Sequence, residues 1–194
     1  EAAIAERLEA LMKAYGASRP SFETIVGSGP NGALPHARPG SRRVRRGDFI
    51  VLDFGAQYRG YCSDMTRTVV LGRPTDRHKR IYGIVAEAQR AGLDAVRAGV
   101  SGKAADAAAR AVIDGAGFAK NYGHGLGHGV GMEVHELPRL SKLSDNVLQA
   151  NAVVTVEPGI YLPGWGGVRI EDLVVVTAAG NRVLSRSPKQ LIAI

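Results

Sequence analysis

The chain has 194 residues, 45% of them hydrophobic and 22% charged, and a formal net charge of +7. That length fits one domain with a real hydrophobic core. Its single cysteine, Cys62, excludes an internal disulfide and gives no support to secretion. No apolar run approaches the roughly 18 residues of a transmembrane helix, so a cytoplasmic protein is expected.

In chain order, residues 1 to about 15 predict a helix with Ile4, Leu8, Leu11 and Met12 on one face. The chain opens part-way into that pattern with no initiator methionine, which suggests a piece of a longer protein. A short strand is predicted near residues 22–26, leading into the loop GSGPNGALPHARPG. A hairpin follows over roughly 48–56 and 60–71; with its turn centred on Tyr58-Arg59, Asp53 faces Asp64 directly. PTDRHKRIYGIVAEAQRAGLDAVRAG predicts a long helix capped by Thr75 or Asp76 and stopped at Gly99. SGKAADAAARAVIDGAGF predicts a second, capped by Ser101 and ended by Gly115-Ala116-Gly117.

NYGHGLGHGVGMEVHELPRL is too rich in glycine for a helix, and a short strand is expected near residues 132–135. AVVTVEPGIY and GVRIEDLVVVT, joined by LPGWG, form a second hairpin, and a last short strand is expected near 182–184. Helix, strands, helices and strands follow one another without a Pro- or Ser-rich linker. This order predicts one α+β domain with an antiparallel sheet and segregated helices. The hairpins also rhyme: Asp53 and Asp64 flank positions 58 and 59, while Glu157 and Glu171 flank Gly164. Two arms, each offering two acids, suggest two related halves closing on one centre.

Like charges opposed in a hairpin are destabilising. Either one carboxylate is protonated or a cation sits between them. Four converging acids are hard to neutralise by protonation alone, whereas two divalent cations cancel them. The stretches FIVLDFG, VVTVEPG and RIEDLVVV have the look of buried strands, where unpaired charge is expensive. Asp172, next to Glu171, points the other way and is expected to be exposed or paired. His124, His128 and His135 fall within twelve residues; no HExxH helix and no GxSxG elbow is present. Alternation turns Cys62 away from the acids, leaving it a packing role. The basic segment ARPGSRRVRRGD, with Arg38, Arg42, Arg43, Arg45 and Arg46, lacks any companion nucleic-acid motif and is taken as a solvated loop.

LDFGAQYRGYCSDMTRT, GHGLGHGVGMEVHE, TVEPGIY and GVRIEDLVVVT together resemble the pita-bread-fold metallopeptidases, which include methionine aminopeptidases, aminopeptidase P and prolidase. ALPH, VHELPR and GGVRIED resemble the proline-specific branch. The resemblance implies a pita-bread fold with flanking helices and pseudo-two-fold halves, and residues 1–194 as one catalytic domain. The N-terminal domain of longer members has no counterpart here.

It also implies roles by position. Asp53 holds one metal, His128 and Glu157 the other, and Asp64 and Glu171 bridge both. His36 and His135 stand on the substrate side, His124 and Arg169 support the site, and Arg139 meets a terminal carboxylate. The implied reaction is hydrolysis of the bond preceding proline, with Glu157 accepting a proton, His135 stabilising the oxyanion and His36 holding the substrate. Oxygen-rich ligands with one imidazole suit Mn²⁺, and Co²⁺ also fits. Peptide substrates and a homodimer are the expected partners, with neither nucleic acid nor membrane. A methionine aminopeptidase and a non-catalytic binding protein on the same fold stay open as alternatives.

Overall fold

A computed structural model describes all of residues 1–194. Helix α1 (Ala2–Ala14) is followed by β1 (Arg19–Pro20), β2 (Ile25–Ser28) and a 3-10 turn over Gly29–Ala33. The first hairpin comprises β3 (Phe49–Phe54), β4 (Ala56–Tyr58), β5 (Tyr61–Cys62) and β6 (Met65–Val70). Helices α2 (Asp76–Ala95) and α3 (Gly102–Gly115) lead to β7 (Gly127–Gly129) and β8 (Glu136–Leu140). The second hairpin is β9 (Val153–Val156), β10 (Gly159–Leu162), β11 (Gly166–Arg169) and β12 (Asp172–Val176), before β13 (Asn181–Val183) and β14 (Ile192–Ala193).

The α+β class and the antiparallel hairpins are as expected, but the sheet is divided. One sheet has the order β14-β6-β3-β2 and another β13-β12-β9-β7-β8, with the outer ends of the hairpins forming β1-β4-β5 and β10-β11. A strand near the chain's end, β14, runs parallel to β6, an exception to the antiparallel pattern. The strand anticipated at 22–26 lies at Ile25–Ser28, and the short one anticipated at 182–184 lies at Asn181–Val183. Residues 132–135 are not a strand. They form a bend in which the Glu136 carboxylate accepts from the Glu133 N–H and Gly131 N–H bonds back to the Glu133 carbonyl, so the ladder resumes only at Glu136.

The first hairpin corrects the expected register. Its turn is centred on Arg59-Gly60, both at positive φ (50° and 86°), as a tight two-residue hairpin turn demands, with glycine at the second position. Asp53 therefore faces Thr66, and the same register sets Asp64 opposite Gly55 rather than Asp53. A slip of two residues preserves which face each side chain takes, so both acids still point to one side. In the second hairpin the register is the expected one. Asp172 pairs with Val156 and Gly159 with Arg169, which places Glu157 opposite Glu171 and Gly164 (φ 77°) in the loop. The ladder breaks at Gly55 and Asp64 in the first hairpin and at Glu157 and Glu171 in the second, where the strands change sheet.

Helical cover follows the apolar faces. In α2, Ile81, Tyr82, Val85, Ala88 and Gly92 turn inward, and Thr75 caps the helix by accepting from the His78 N–H. The helix ends at Ala95, before the predicted stop at Gly99, because Val96 leaves helical geometry to bury itself completely. Ser101 caps α3 as expected. The main core joins α2 and α3 to the five-stranded sheet and to β10-β11, and includes Phe49, Val85, Ile113, Leu126, Val156 and Ile170. A smaller core sets Ala5 of α1 on Val26 and Ile50, with Ile4 and Leu8 packed around it. Leu11, anticipated on that face, is exposed. No helix is long and apolar enough to cross a membrane.

Gly55 sits where β3 passes into β4, and a Cβ there would collide with the Ser63 carbonyl. Gly55→Ala is expected to destabilise the protein by about 1–3 kcal/mol, read as a lowered urea midpoint.

Candidate metal centre

The breaks in the two hairpins meet at the floor of a cavity of about 680 Å³. All ten residues singled out from the sequence line it: Asp53, Asp64, His128, Glu157 and Glu171, with His36, His124, His135, Arg139 and Arg169. Asp53, Asp64, His128 and Glu171 are buried, while the Glu157 side chain is the most open of the four acids at 16% exposed. Ligand atoms of Asp64, His128 and Glu171 all lie within 4.8 Å of one another. His128 Nε2 is 3.2 Å from Glu157 Oε1 and 3.7 Å from Asp64 Oδ2. Asp172 points away from them, as alternation requires, and is fully buried and paired with Arg67 and Lys189. Cys62 likewise lies outside the cavity lining, its thiol donating to the Met132 carbonyl.

One guanidinium serves this floor. Arg169 donates to Asp53 Oδ2, to the Thr66 hydroxyl, to the Pro35 carbonyl and, at 2.6 Å, to the Tyr161 hydroxyl. Tyr161 OH in turn bonds His124 Nε2 at 2.9 Å, and His124 Nδ1 donates to the Gly125 carbonyl. Burial pushes Tyr161 up to about 12, keeping it a donor, and pushes His124 down, keeping it a neutral acceptor. Burial works to lower Arg169, but the oxygens of Tyr161, Asp53 and Glu157 prevail and raise it well above its usual range.

The acids are not balanced by this one cation. Burial, then the charges of neighbouring carboxylates, push Asp64 and Glu171 well above the usual carboxylate range. Burial also raises Asp53 against the opposing pull of Arg169. Burial works to raise Glu157 too, but the His128 hydrogen bond and nearby positive charge prevail and lower it to about 2.

Donor chemistry supplies a test of whether cations fit here. Asp53 Oδ1 and Glu171 Oε1 are buried with no hydrogen-bond partner, an expensive condition for a carboxylate. His128 Nδ1 faces the Gly129 carbonyl and must donate to it, which leaves Nε2 aimed at two carboxylates. Either a proton on Nε2 or a cation between it and these oxygens meets that contact. Orphan oxygens, an oriented imidazole and excess buried acid all fit divalent ions.

Several supporting residues carried no clear sign in the sequence. Thr66 donates to Glu171 Oε2 and Thr155 to Glu157 Oε1. Tyr161 lies four residues beyond Glu157 in EPGIY, and Thr66 two beyond Asp64 on the same strand face, so alternation could have found Thr66. The glycine-rich loop is held by a buried pair on α3: Arg110 donates to Asp106 and to the Tyr122 and His124 carbonyls, and Asp106 accepts from the Leu126 N–H. Two opposite charges at i and i+4 on an otherwise alanine-rich face were its signal.

Residues 1–178 match the model of metallopeptidase family M24. The chain belongs to this family. It is 50% identical over 192 residues to the uncharacterized peptidase YqhT of Bacillus subtilis, covering 99% of this chain and 54% of that one. Its fold superimposes on an Xaa-Pro dipeptidase from Bacillus anthracis with a TM-score of 0.98 at 49% identity, over 100% of this chain and 55% of that one. An X-Pro aminopeptidase from Thermotoga maritima gives a TM-score of 0.98 at 46% identity, with the same coverage. The chain therefore spans about half the length of the family members it matches. The pita-bread fold expected from the motifs is the fold observed.

Removing the buried pair that braces the loop should be costly. Arg110→Leu leaves Asp106 charged and unpaired, and a loss of about 3–5 kcal/mol in urea unfolding is expected.

Proposed function

We propose that this chain is the catalytic portion of an Xaa-Pro peptidase, cleaving the bond that precedes proline with two divalent cations. The observation that carries the reading is the set of orphan carboxylate oxygens gathered on one cavity floor, with His128 Nε2 beside two of the acids. Similarity at 46–49% identity to a solved Xaa-Pro dipeptidase and a solved X-Pro aminopeptidase supports the substrate class.

Asp53 would hold one ion and His128 and Glu157 the other, with Asp64 and Glu171 shared between them. Such ions, when bound, lower the pKa of coordinated water and polarise a carbonyl. Mn²⁺ suits four carboxylates and one imidazole, and Co²⁺ is the second choice. The protein's own groups do the rest. Glu157 is the acid most open to the cavity, its Oε1 steadied by the Thr155 hydroxyl, and it takes and returns the proton. His135 is exposed on the wall with its ring centroid 4.3 Å from that of His128, and burial with the nearby His128 and Arg139 charges favours its neutral form. There it can donate a hydrogen bond to the developing oxyanion. His36, also on the cavity lining, holds the peptide, and Arg139, exposed and in no ion pair, is free to meet a terminal carboxylate. A proline nitrogen carries no hydrogen, so no acceptor is needed beside it. The lone Cys62 suits a reducing cytoplasm.

Two measurements test this. Asp64→Ala or Glu171→Ala should abolish both Mn²⁺ uptake and X-Pro cleavage; full activity in either variant defeats the assignment. With Mn²⁺ loaded, an X-Pro dipeptide and tripeptide should be hydrolysed well ahead of a Met-Ala peptide. The reverse preference would make the chain a methionine aminopeptidase.

A further inference from the structure

Glu171 has four polar atoms besides its neighbours' peptides, and one pair of consecutive residues on β6 takes three of them. Its N–H donates to the Thr66 carbonyl at 3.2 Å. Its Oε2 accepts from the Thr66 hydroxyl at 2.7 Å. Its carbonyl accepts from Arg67 Nη1. Oε1 alone is left without a partner, in the residue that lines the cavity floor.

We infer that Thr66 and Arg67 form a two-residue clamp that positions Glu171 for the cation site, with Oε2 held by one hydrogen bond and Oε1 left wholly free. The inference rests on the metal reading above. Neither residue touches the cavity: both act through Glu171.

The direction of the Thr66 hydroxyl is fixed by its other partner. Arg169 Nε donates to that oxygen at 3.0 Å, so its own proton is free for Glu171. A hydroxyl that must accept from one side and donate to the other leaves the carboxylate no second orientation. Thr66 is fully buried, so water does not compete for either bond.

Arg67 works from behind the strand, as alternation along β6 demands. All five of its N–H groups are used: Nε on the Pro188 carbonyl, Nη1 on the Thr66 and Glu171 carbonyls, Nη2 on Asp172 Oδ1 and the Ser187 carbonyl. Asp172, with no exposed surface, also accepts from Gln89 and Lys189, which anchors the fork. A lysine could keep the charge beside Asp172 but could not reach the same set of acceptors, because only a planar fork fixes five donors at once. Gln89 belongs to the same cluster yet makes no hydrogen bond to Glu171, which makes it the control.

The test is calorimetric titration of the metal-free protein with Mn²⁺, alongside the visible absorption of the Co²⁺-loaded form. Thr66→Val should weaken Mn²⁺ binding about 10- to 100-fold and alter the Co²⁺ spectrum, and Thr66→Ser should restore both. Arg67→Lys should behave like Thr66→Val, whereas Gln89→Met should lower the thermal midpoint without changing Mn²⁺ affinity. Wild-type affinity and spectrum in Thr66→Val would overturn the clamp and leave the metal reading standing, as would an equal loss in Gln89→Met. Should the unaltered chain take up no Mn²⁺, the metal reading falls and the clamp falls with it.

Discussion

Four carboxylates are buried where two hairpins meet, and the protein supplies a single guanidinium, Arg169, against them. Everything else near the cavity can be understood as a response to that imbalance. Buried charge without a partner costs several kcal/mol per ion, and a fold selected for stability alone would have placed apolar side chains there. Instead three of the four are held by one oxygen: Asp53 by Arg169, Glu171 by Thr66, Glu157 by Thr155. Holding one oxygen and withholding a partner from the other is how a protein stores affinity for a cation. Arg169 also ties the halves together, since its guanidinium on β11 bonds Asp53 on β3 and Thr66 on β6.

The scaffold makes this possible through interrupted ladders. A continuous hairpin would keep its backbone groups paired and its side chains evenly alternating. Breaks at Gly55 and Asp64 in one hairpin, and at Glu157 and Glu171 in the other, let the strands swing into separate sheets and leave the acids at the seam. Gly55 is required there because the Ser63 carbonyl occupies the space a side chain would need. Threonines on β6 then stand in for missing ladder bonds: the Thr68 hydroxyl both accepts from the Arg169 N–H and donates to its carbonyl. This exchange joins the halves through side chains instead of backbone pairing.

Much of this was legible in the sequence, for reasons that differ by residue. Glu157 and Glu171 could be paired because Gly164 marks the loop and strand alternation does the rest. Asp53 and Asp64 were brought to the right face from the wrong register. A turn at Tyr58-Arg59 gives the wrong pairing because Gly60 is the residue suited to a left-handed second position, yet a shift of two residues leaves the strand face unchanged. Residues 132–135 resemble a strand because their apolar residues alternate, while the Glu136 contact that closes the bend is invisible to a pattern of hydrophobicity. The division of the sheet was likewise hidden, since it depends on where two distant hairpins collide. Tyr161 is hidden because its role depends on Arg169 and His124, 8 and 37 residues away, whereas Thr66 shows only its strand face and Arg110 only its i,i+4 pair with Asp106.

The strand β14 adds a matter of timing. It borders β6, with Ile192 beside Val69 and Ile194 exchanging bonds with Val70 and Gly72. Until those residues emerge from the ribosome, the outer side of β6 offers bare N–H and C=O groups to any passing strand. At roughly 5–20 residues per second, that vulnerable interval lasts many seconds, and Arg67, whose acceptors include Ser187 and Pro188, waits through it for two of its five bonds. A nascent chain of this protein would therefore be most prone to mispairing between the synthesis of β6 and that of β14.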